Sequence, residues 1–213
     1  MRSKKSLYFA IISVAIFCVL AIVVGLLIFY FVSPDIKETP ENVEVQVVDG
    51  EYYVITDFNA QYDYRFIIEQ NIDGEYVEVS TVLEENNMIN LSKNTDIILN
   101  AGNVFRIKVA YVGENGRNGN FSDYYDWTVV LPLDTVVPNF ENNVLSWNNV
   151  LNATSYSLKV IYPTGQIQDI TNLQTTSFDF STFDAGDYKV YVTANGNEYF
   201  TPSTSLIFEF SVN

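Results

Sequence analysis

Histidine is absent from the 213 residues, and cysteine occurs once, at Cys18. The absence of histidine excludes Ser-His-Asp triads, Cys-His pairs and histidine-ligated zinc centres. Carboxylates are the remaining candidates for catalysis, but neighbours such as Glu84 and Glu85, or Asp184 and Asp187, are expected on the surface of any acidic chain. We therefore expect the protein not to be an enzyme, and a carboxylate-based glycan enzyme is a distant alternative.

Positive charge is scarce beyond the first few residues. Three of the 11 basic residues, Arg2, Lys4 and Lys5, precede every acidic residue, so eight basic residues face 26 acidic ones and the rest of the chain has a net charge of −18. Such a field repels phosphate backbones and anionic head groups. The charge therefore predicts no nucleic-acid partner, and a cationic or neutral protein or carbohydrate partner fits better.

One long uncharged run, residues 7–32, lies near the N-terminus. As a helix, these 26 residues are about 39 Å long, enough to cross about 30 Å of hydrocarbon with some tilt. A cleavable signal peptide has a shorter apolar core that ends in small residues, whereas Phe29, Tyr30 and Phe31 occupy the outer end of this run. The run predicts an uncleaved transmembrane signal anchor that binds the lipid bilayer.

The basic residues at the N-terminus set the orientation of the predicted anchor. By the positive-inside bias, residues 1–6 form a cytoplasmic tail, and everything after the anchor is extracellular. The extracellular side permits disulfides, yet the chain has no cysteine there. This favours a bacterial source and predicts a single-pass protein of the cell membrane with a C-terminal ectodomain.

After a short polar stalk, residues 33–42, apolar and polar residues alternate along almost the whole chain. Alternation with a period of two is typical of half-buried β-strands, and no stretch favours a long helix. In the first half, three stretches show it most clearly: Val43, Val45 and Val47; Tyr62, Tyr64, Phe66 and Ile68; and Phe105, Ile107 and Val109. Asp49-Gly50, Asp73-Gly74 and the polar run 114–120 supply turns between strands.

A domain boundary is predicted where two prolines interrupt the strand pattern. Pro132 and Pro138 bracket a few residues that cannot continue a β ladder, which predicts a short, stiff linker. The boundary divides the chain into a first β-sandwich, residues 43–132, and a second, residues 133–213. In the second sandwich the pattern predicts strands around residues 144–147, 156–161, 177–180, 188–192 and 206–212, with turns at 163–165 and 195–197.

Three segments of the second half resemble the fibronectin type III family. They are Leu145-Ser146-Trp147 in an early strand, Ala153 followed by Tyr156 at the start of the next strand, and the late strand that begins at Gly186. The resemblance implies that Trp147 packs between two sheets and that Tyr188 forms a corner with an upstream backbone group.

The first half is similar to the second in a weaker form. Asn59-Ala60 matches Asn152-Ala153, Ala101-Gly102 matches Ala185-Gly186, and Phe105 stands where Tyr188 does, but no tryptophan occupies the early strand. The predicted fold is all-β: two tandem fibronectin type III-like or immunoglobulin-like β-sandwiches preceded by one transmembrane α-helix.

Five residues are the candidates for partner contact. Asn115 and Arg117 lie in the loop that joins the last two predicted strands of the first sandwich, with Arg117 predicted at the tip. Tyr124, Tyr125 and Tyr199 belong to aromatic pairs that cannot all face inward on alternating strands. Exposed tyrosine rings suit contact with carbohydrate or protein.

No catalytic, cofactor or metal site is predicted, although two segments carry oxygen ligands that calcium prefers. Asn71, Asp73 and Glu75 alternate around Gly74, and Asp184 and Asp187 lie in a loop before a strand. Neither segment has the number of ligands of a known calcium loop, and both have the composition of ordinary turns.

The predicted function is a membrane-anchored extracellular binding, adhesion or spacer module of a bacterial cell surface. A structural or accessory subunit of a larger cell-envelope complex is the alternative from a different class. The sequence does not indicate an oligomeric state.

Overall fold

The computed structural model describes residues 19–24 and 36–213. Residues 19–24 are helical, and the rest of the described chain is strand, turn and one short 3₁₀ helix, Leu91–Lys93. Within these ranges no helix is both long enough and apolar enough to cross a bilayer. The predicted anchor, residues 7–32, falls outside the described residues except for 19–24.

The chain divides into two compact units. The first extends to Ile97 and includes Arg106–Asp126, and the second comprises Ile98–Phe105 and Trp127–Asn213. The predicted ranges 43–132 and 133–213 are each continuous, whereas these units are not. The position of a boundary along the chain stays a prediction.

The first β-sandwich is built from eight strands: β1 Glu44–Val48, β2 Glu51–Ile55, β3 Asp63–Ile72, β4 Glu75–Glu84, β5 Met88–Asn90, β6 Val104–Val112, β7 Asn118–Phe121 and β8 Tyr125–Thr128. One sheet has the order β1-β2-β5, and the other has the order β4-β3-β6-β7, with β8 also on β6.

The second β-sandwich has ten: β9 Leu131–Pro132, β10 Pro138–Glu141, β11 Val144–Trp147, β12 Ser155–Ile161, β13 Ile167–Leu173, β14 Ser177–Asp179, β15 Gly186–Asn195, β16 Phe200–Thr201, β17 Ser203–Thr204 and β18 Phe208–Val212. Its sheets are β10-β11-β14 and β13-β12-β15-β17, with β18 also on β15 and a small parallel pair of β9 and β16. The main sheets repeat the three-plus-five pattern of the first sandwich.

Two Asp-Gly pairs close the hairpins of the first sandwich, as predicted. Asp49 and Gly50 have φ values of 52° and 81°, and Asp73 and Gly74 have 54° and 92°. Two consecutive residues with positive φ make the tight turn that matches the twist of the strands. These turns set the register of β1 on β2 and of β3 on β4, in which Val48 pairs with Glu51 and Ile72 with Glu75.

The core of each sandwich lies where the predicted alternation puts it. In β3 the residues Tyr64, Phe66 and Ile68 are buried, and the alternate residues Asp63, Arg65 and Ile67 are only half-buried. In β15 Tyr188, Val190 and Val192 are buried in the same way. Burial of alternate residues on both sheets is the packing of a β-sandwich.

The residues that carry the resemblance to the fibronectin type III family have the implied roles. Trp147 is 6% exposed within the core and lies 5.5 Å, centroid to centroid, from the ring of Tyr156. The Tyr188 hydroxyl donates a hydrogen bond to the carbonyl oxygen of Asp184 at 2.9 Å. This is the tyrosine corner of immunoglobulin-like sandwiches. The fold is therefore fibronectin type III-like, as predicted.

We expect Tyr188→Phe to lower the free energy of unfolding of the second unit by about 1 kcal/mol, because it removes one buried hydrogen bond and leaves the Asp184 carbonyl without it. Tyr191→Phe, on the opposite face of the same strand, is the control. Trp147 lies in the core of the second sandwich, whereas Trp127 lies in β8 of the first, so the fluorescence of Trp147 during urea unfolding in a Trp127→Phe background measures the stability of the second unit. Equal midpoints for the two variants would contradict the corner's role.

Several sequence expectations about strands need correction. Val47 was expected to be half-buried, but its side chain is 59% exposed on the edge strand β1. Leu206, expected in the last strand, precedes it and is 89% exposed. Strand β13 was not predicted, because most of its residues are exposed and it has no apolar alternation. Edge strands bury little, so their sequences carry a weak period.

Pro132 was expected to interrupt the ladder, but it lies within β9. The backbone N–H groups of its neighbours Leu131 and Leu133 donate to the carbonyl oxygens of Tyr199 and Thr201, at 3.0 and 3.1 Å. A strand bonds to one neighbour through alternate residues, so proline is tolerated where its nitrogen faces away.

Candidate functional site

A groove of about 580 Å³ in the first unit brings together two of the five candidate contact residues, Tyr124 and Tyr125. One wall is the chain segment before β1, and the other is the segment that links β7 to β8. The lining residues are Thr39, Pro40, Glu41, Asn42, Val43, Phe121, Ser122, Asp123, Tyr124 and Tyr125. Sequence reasoning predicted the tyrosines but did not predict the opposite wall.

The segment 36–42, part of the predicted stalk, is docked on the first sandwich. Ile36 lies against two glycines of the β6–β7 hairpin: a Cβ atom built on Gly119 would come within 2.8 Å of the Ile36 side chain, and one on Gly113 within 3.3 Å. The space left by the absent Cβ atoms of Gly113 and Gly119 holds the Ile36 side chain and is called here the seat of Ile36. Pro40 is buried further along the segment.

Hydrogen bonds hold the same segment near the groove. The Glu41 N–H donates to Asp57 Oδ1 at 2.5 Å, and the Glu41 carbonyl accepts from Thr56 Oγ1 at 2.6 Å. Asp57 Oδ2 accepts from the Tyr111 hydroxyl at 2.6 Å. Burial raises the pKa of Tyr111, and the hydrogen bond to the Asp57 carboxylate raises it further, well above its usual value. The phenol therefore stays a donor, and it fixes the carboxylate that holds the Glu41 backbone.

Glu69 fixes the other wall of the groove through a hydrogen bond with Tyr124. The Tyr124 hydroxyl donates to Glu69 Oε1 at 2.8 Å and accepts from Lys108 Nζ at 2.6 Å. The Tyr124 side chain is 39% exposed, so one end is fixed and the rest faces solvent. The ring is thus held in place before any partner arrives.

Glu69 is a nearly buried carboxylate at the centre of a cluster of cations and rings. It is 9% exposed, and Arg106 Nε and Nη2 both lie 2.5 Å from its Oε2. The Arg106 guanidinium carbon lies 4.1 Å from the centroid of the Tyr76 ring and 4.2 Å from that of Tyr124. Burial opposes ionisation of Glu69, but the bonds from Tyr124 and Arg106 outweigh it, so its pKa lies below the usual value. The carboxylate is therefore ionised at neutral pH.

Sequence reasoning missed this cluster because a β-bulge creates it. The register of β3 on β4 shifts between Ile68 and Glu69, and both residues are buried in succession. A bulge re-aims side chains without any signal in the period of the sequence. The alternation of Tyr64, Phe66 and Ile68 alone would place Glu69 on the exposed face.

Asn115 and Arg117 shape the β6–β7 turn. Asn115 Oδ1 accepts from the Arg117 N–H at 3.0 Å, and the Arg117 carbonyl accepts from the Gly113 N–H at 3.1 Å. Arg117 is half-buried and adjoins β7, so the prediction that it occupies the tip of the loop is wrong. The predicted loop 114–120 is also shorter than expected, because β7 starts at Asn118.

Tyr199 belongs to the second unit, which the groove does not include. Its ring lies 3.5 Å from the position of a Cβ atom built on Gly102, which is part of the same unit. A hydrogen bond with Glu198 raises the pKa of Tyr199 above its usual value. The ring is 37% exposed, so it is comparable in accessibility to Tyr124.

The calcium candidates take part in hydrogen bonds of the protein itself. Asn71 Oδ1 accepts from the Gly74 N–H at 3.0 Å, and Asp187 Oδ1 accepts from Ser211 Oγ at 2.6 Å. Within residues 19–24 and 36–213, no three Asp, Glu, His or Cys side chains converge on a point that would hold a metal ion. The candidate site is therefore the groove of the first unit, whose aromatic rings and carboxylates are suited to binding a partner.

The comparisons with known proteins concern the fold. No protein-family model matches the chain, and no curated protein matches it. A segment of two fibronectin type III domains from chicken tenascin has a TM-score of 0.45 and 14% identity, over 82% of this chain and 98% of that one. The first three such domains of chicken CNTN1 have a TM-score of 0.37 and 14% identity, over 85% of this chain and 68% of that one.

Proposed function

We propose that the protein is a binding module of the bacterial cell surface, held on the membrane by residues 7–32 with both sandwiches outside the cell. The uncharged run and the basic residues before it support the anchor and its orientation. The fibronectin type III-like fold supports a role in binding, adhesion or spacing. Fold alone does not name a function, so the groove of the first unit carries the argument for binding.

The docked segment 36–42, which forms one wall of that groove, connects the proposed binding site to the proposed anchor. Only residues 33–35 separate the uncharged run from Ile36 and its seat on the hairpin. If the run spans the bilayer, three extended residues reach at most about 10 Å, so the first unit works close to the membrane surface. A partner that reaches the groove must therefore approach the membrane or belong to it.

The test is protease treatment of intact cells that carry the full chain with a tag at each terminus. We expect an external protease to remove the C-terminal tag and leave the N-terminal tag, and we expect carbonate extraction to leave the protein in the membrane fraction. Lysed cells, in which both tags are accessible, are the control. Protection of the C-terminal tag in intact cells, or extraction of the protein by carbonate, would contradict the proposal.

Cross-linking in native membranes separates a binding module from a subunit. A module that binds external ligands should cross-link to extracellular or cell-wall molecules. A stoichiometric membrane partner in every preparation would instead identify a structural or accessory subunit of a larger complex.

A further inference from the structure

We propose that the groove between segment 39–43 and segment 121–125 binds an extended peptide that carries lysine or arginine side chains. The inference rests on the proposed function, because the partner must meet the first unit outside the cell. Its site and its ligand class are argued from the groove itself.

The charge of the groove selects a cation. Glu41 on one wall and Asp123 on the other are exposed, and no basic residue is among those that line the groove. The surrounding field has the same sign, because eight basic residues face 26 acidic ones after the uncharged run. The electrostatic potential of charges is stronger in a cleft than on a flat surface, so the groove attracts a cationic ligand.

The two cations that contact the Tyr124 ring do not cancel this charge. Arg106 is bound to Glu69 Oε2 at 2.5 Å, and Lys108 Nζ lies 3.9 Å from Glu69 Oε1 and donates to the Tyr124 hydroxyl. Both cations lie over the Tyr124 ring, with the Lys108 nitrogen 4.6 Å from its centroid. Glu69 offsets one of these two positive charges, and the two carboxylates that line the groove, Glu41 and Asp123, outweigh the one that remains.

The same contacts disfavour a saccharide as the ligand. A sugar ring stacks on the face of an aromatic ring, but the Tyr124 ring already packs against Arg106 and Lys108. What Tyr124 and the half-buried Tyr125 offer is ring edge beside two carboxylates. The methylene stem of a lysine or arginine can lie along such rings while its charged end reaches a carboxylate.

The shape of the groove suits a chain. Residues 39–42, which lead into β1, form no strand, and residues 122–124 interrupt the edge between β7 and β8. An extended peptide can lie between two such walls and point alternate side chains towards each of them. The groove is thus lined by two pieces of irregular chain with acidic groups on either side.

The experiment measures the affinity of the full-length protein in zwitterionic nanodiscs for a fluorescent nonapeptide with three lysines separated by glycine and serine. The test variant carries Glu41→Gln and Asp123→Asn, which keep the shape of the groove. The matched control carries Glu75→Gln and Asp96→Asn, two exposed residues of the same unit that do not line the groove. Both variants lose two negative charges, so a change in overall field affects them equally.

We expect the test variant to bind at least about tenfold more weakly than the control, which is the size expected for the loss of two charge contacts. We expect the affinity of the unchanged protein to fall as salt rises. Equal affinities of test and control variants would overturn the proposal, because binding would then reflect overall charge alone. Binding of chitotetraose that the test variant loses and salt does not affect would overturn it in favour of a saccharide.

Failure of this proposal and failure of the proposed function give different results. Incorporation into nanodiscs and cleavage on intact cells depend on the anchor and not on Glu41 or Asp123. Absence of peptide binding, together with normal incorporation into nanodiscs and normal cleavage on cells, would contradict only the proposed ligand class. The proposal of an anchored module would not be affected.

Discussion

Replacing Phe180 by alanine should destabilise the second unit by about 3–5 kcal/mol, which is the usual cost of removing a buried aromatic ring. Phe180 is fully buried, and its ring has partners on all sides. The ring centroids within about 6 Å belong to Phe140, Phe178, Phe183, Tyr188 and Phe210. Because these residues come from different strands of both sheets, the cavity cannot be closed by the movement of one side chain.

A loss of this size is a large part of the total stability of a single domain, which is about 5–15 kcal/mol. Urea unfolding followed by the fluorescence of Trp147, again in the Trp127→Phe background, should show a large fall in the midpoint for the second unit. Leu206→Ala, at a side chain that is 89% exposed, should leave the midpoint nearly unchanged. A loss below about 1 kcal/mol for Phe180→Ala would mean that the core relaxes around the cavity.

Replacing Glu69 by alanine should destabilise the first unit by about 2–4 kcal/mol, since it removes one partner of a nearly buried ion pair and leaves the other without compensation. Arg106 would stay between Tyr76 and Tyr124 without its carboxylate, and the Tyr124 hydroxyl would lose its acceptor. Hydrogen exchange at the amides of β6 is the suitable measurement, because β6 carries Arg106 and lies beside β3, the strand of Glu69. Glu78→Gln, at an exposed residue paired with Glu69 across the strands, is the control.

The pH dependence of the Glu69 effect follows from the direction of its pKa. The folded-state pKa is lowered, so the stabilisation is fully present above the unfolded value of about 4.3 and is lost as the pH falls through the folded value. The difference in stability between the unchanged protein and Glu69→Gln should be constant near neutral pH and should shrink in acid. A difference that grows in acid would mean that the carboxyl is protonated in the folded state.

The fold was largely predictable because the core follows the alternation of single strands. Tyr64, Phe66 and Ile68 in β3, and Tyr188 and Val190 in β15, lie on the buried faces that their spacing predicts. The Asp-Gly turns are local as well, since the positive φ values depend on two neighbouring residues. Edge strands such as β13 were missed because a strand that is exposed on both faces has no apolar period.

The site was only half predictable, because its parts meet through the fold. Tyr124 and Tyr125 were expected as exposed rings from their position in the sequence. The wall opposite them depends on Ile36 meeting Gly113 and Gly119, which lie more than 70 positions away in the chain. No periodicity or motif reports a contact between a polar stalk and two glycines of a distant hairpin.

If residues 7–32 anchor the chain as proposed, the contact of Ile36 with Gly113 and Gly119 has a mechanical consequence. A pull along the chain from the membrane side would reach Ile36 and the hydrogen bonds between Glu41, Thr56 and Asp57 before it reached β1. Strand β1 is a largely exposed edge strand, the element that a peeling force would detach first. We expect the docked segment 36–42 to bear the tension at the β6–β7 hairpin. Strand β1 should then stay in the first sandwich when the chain is pulled.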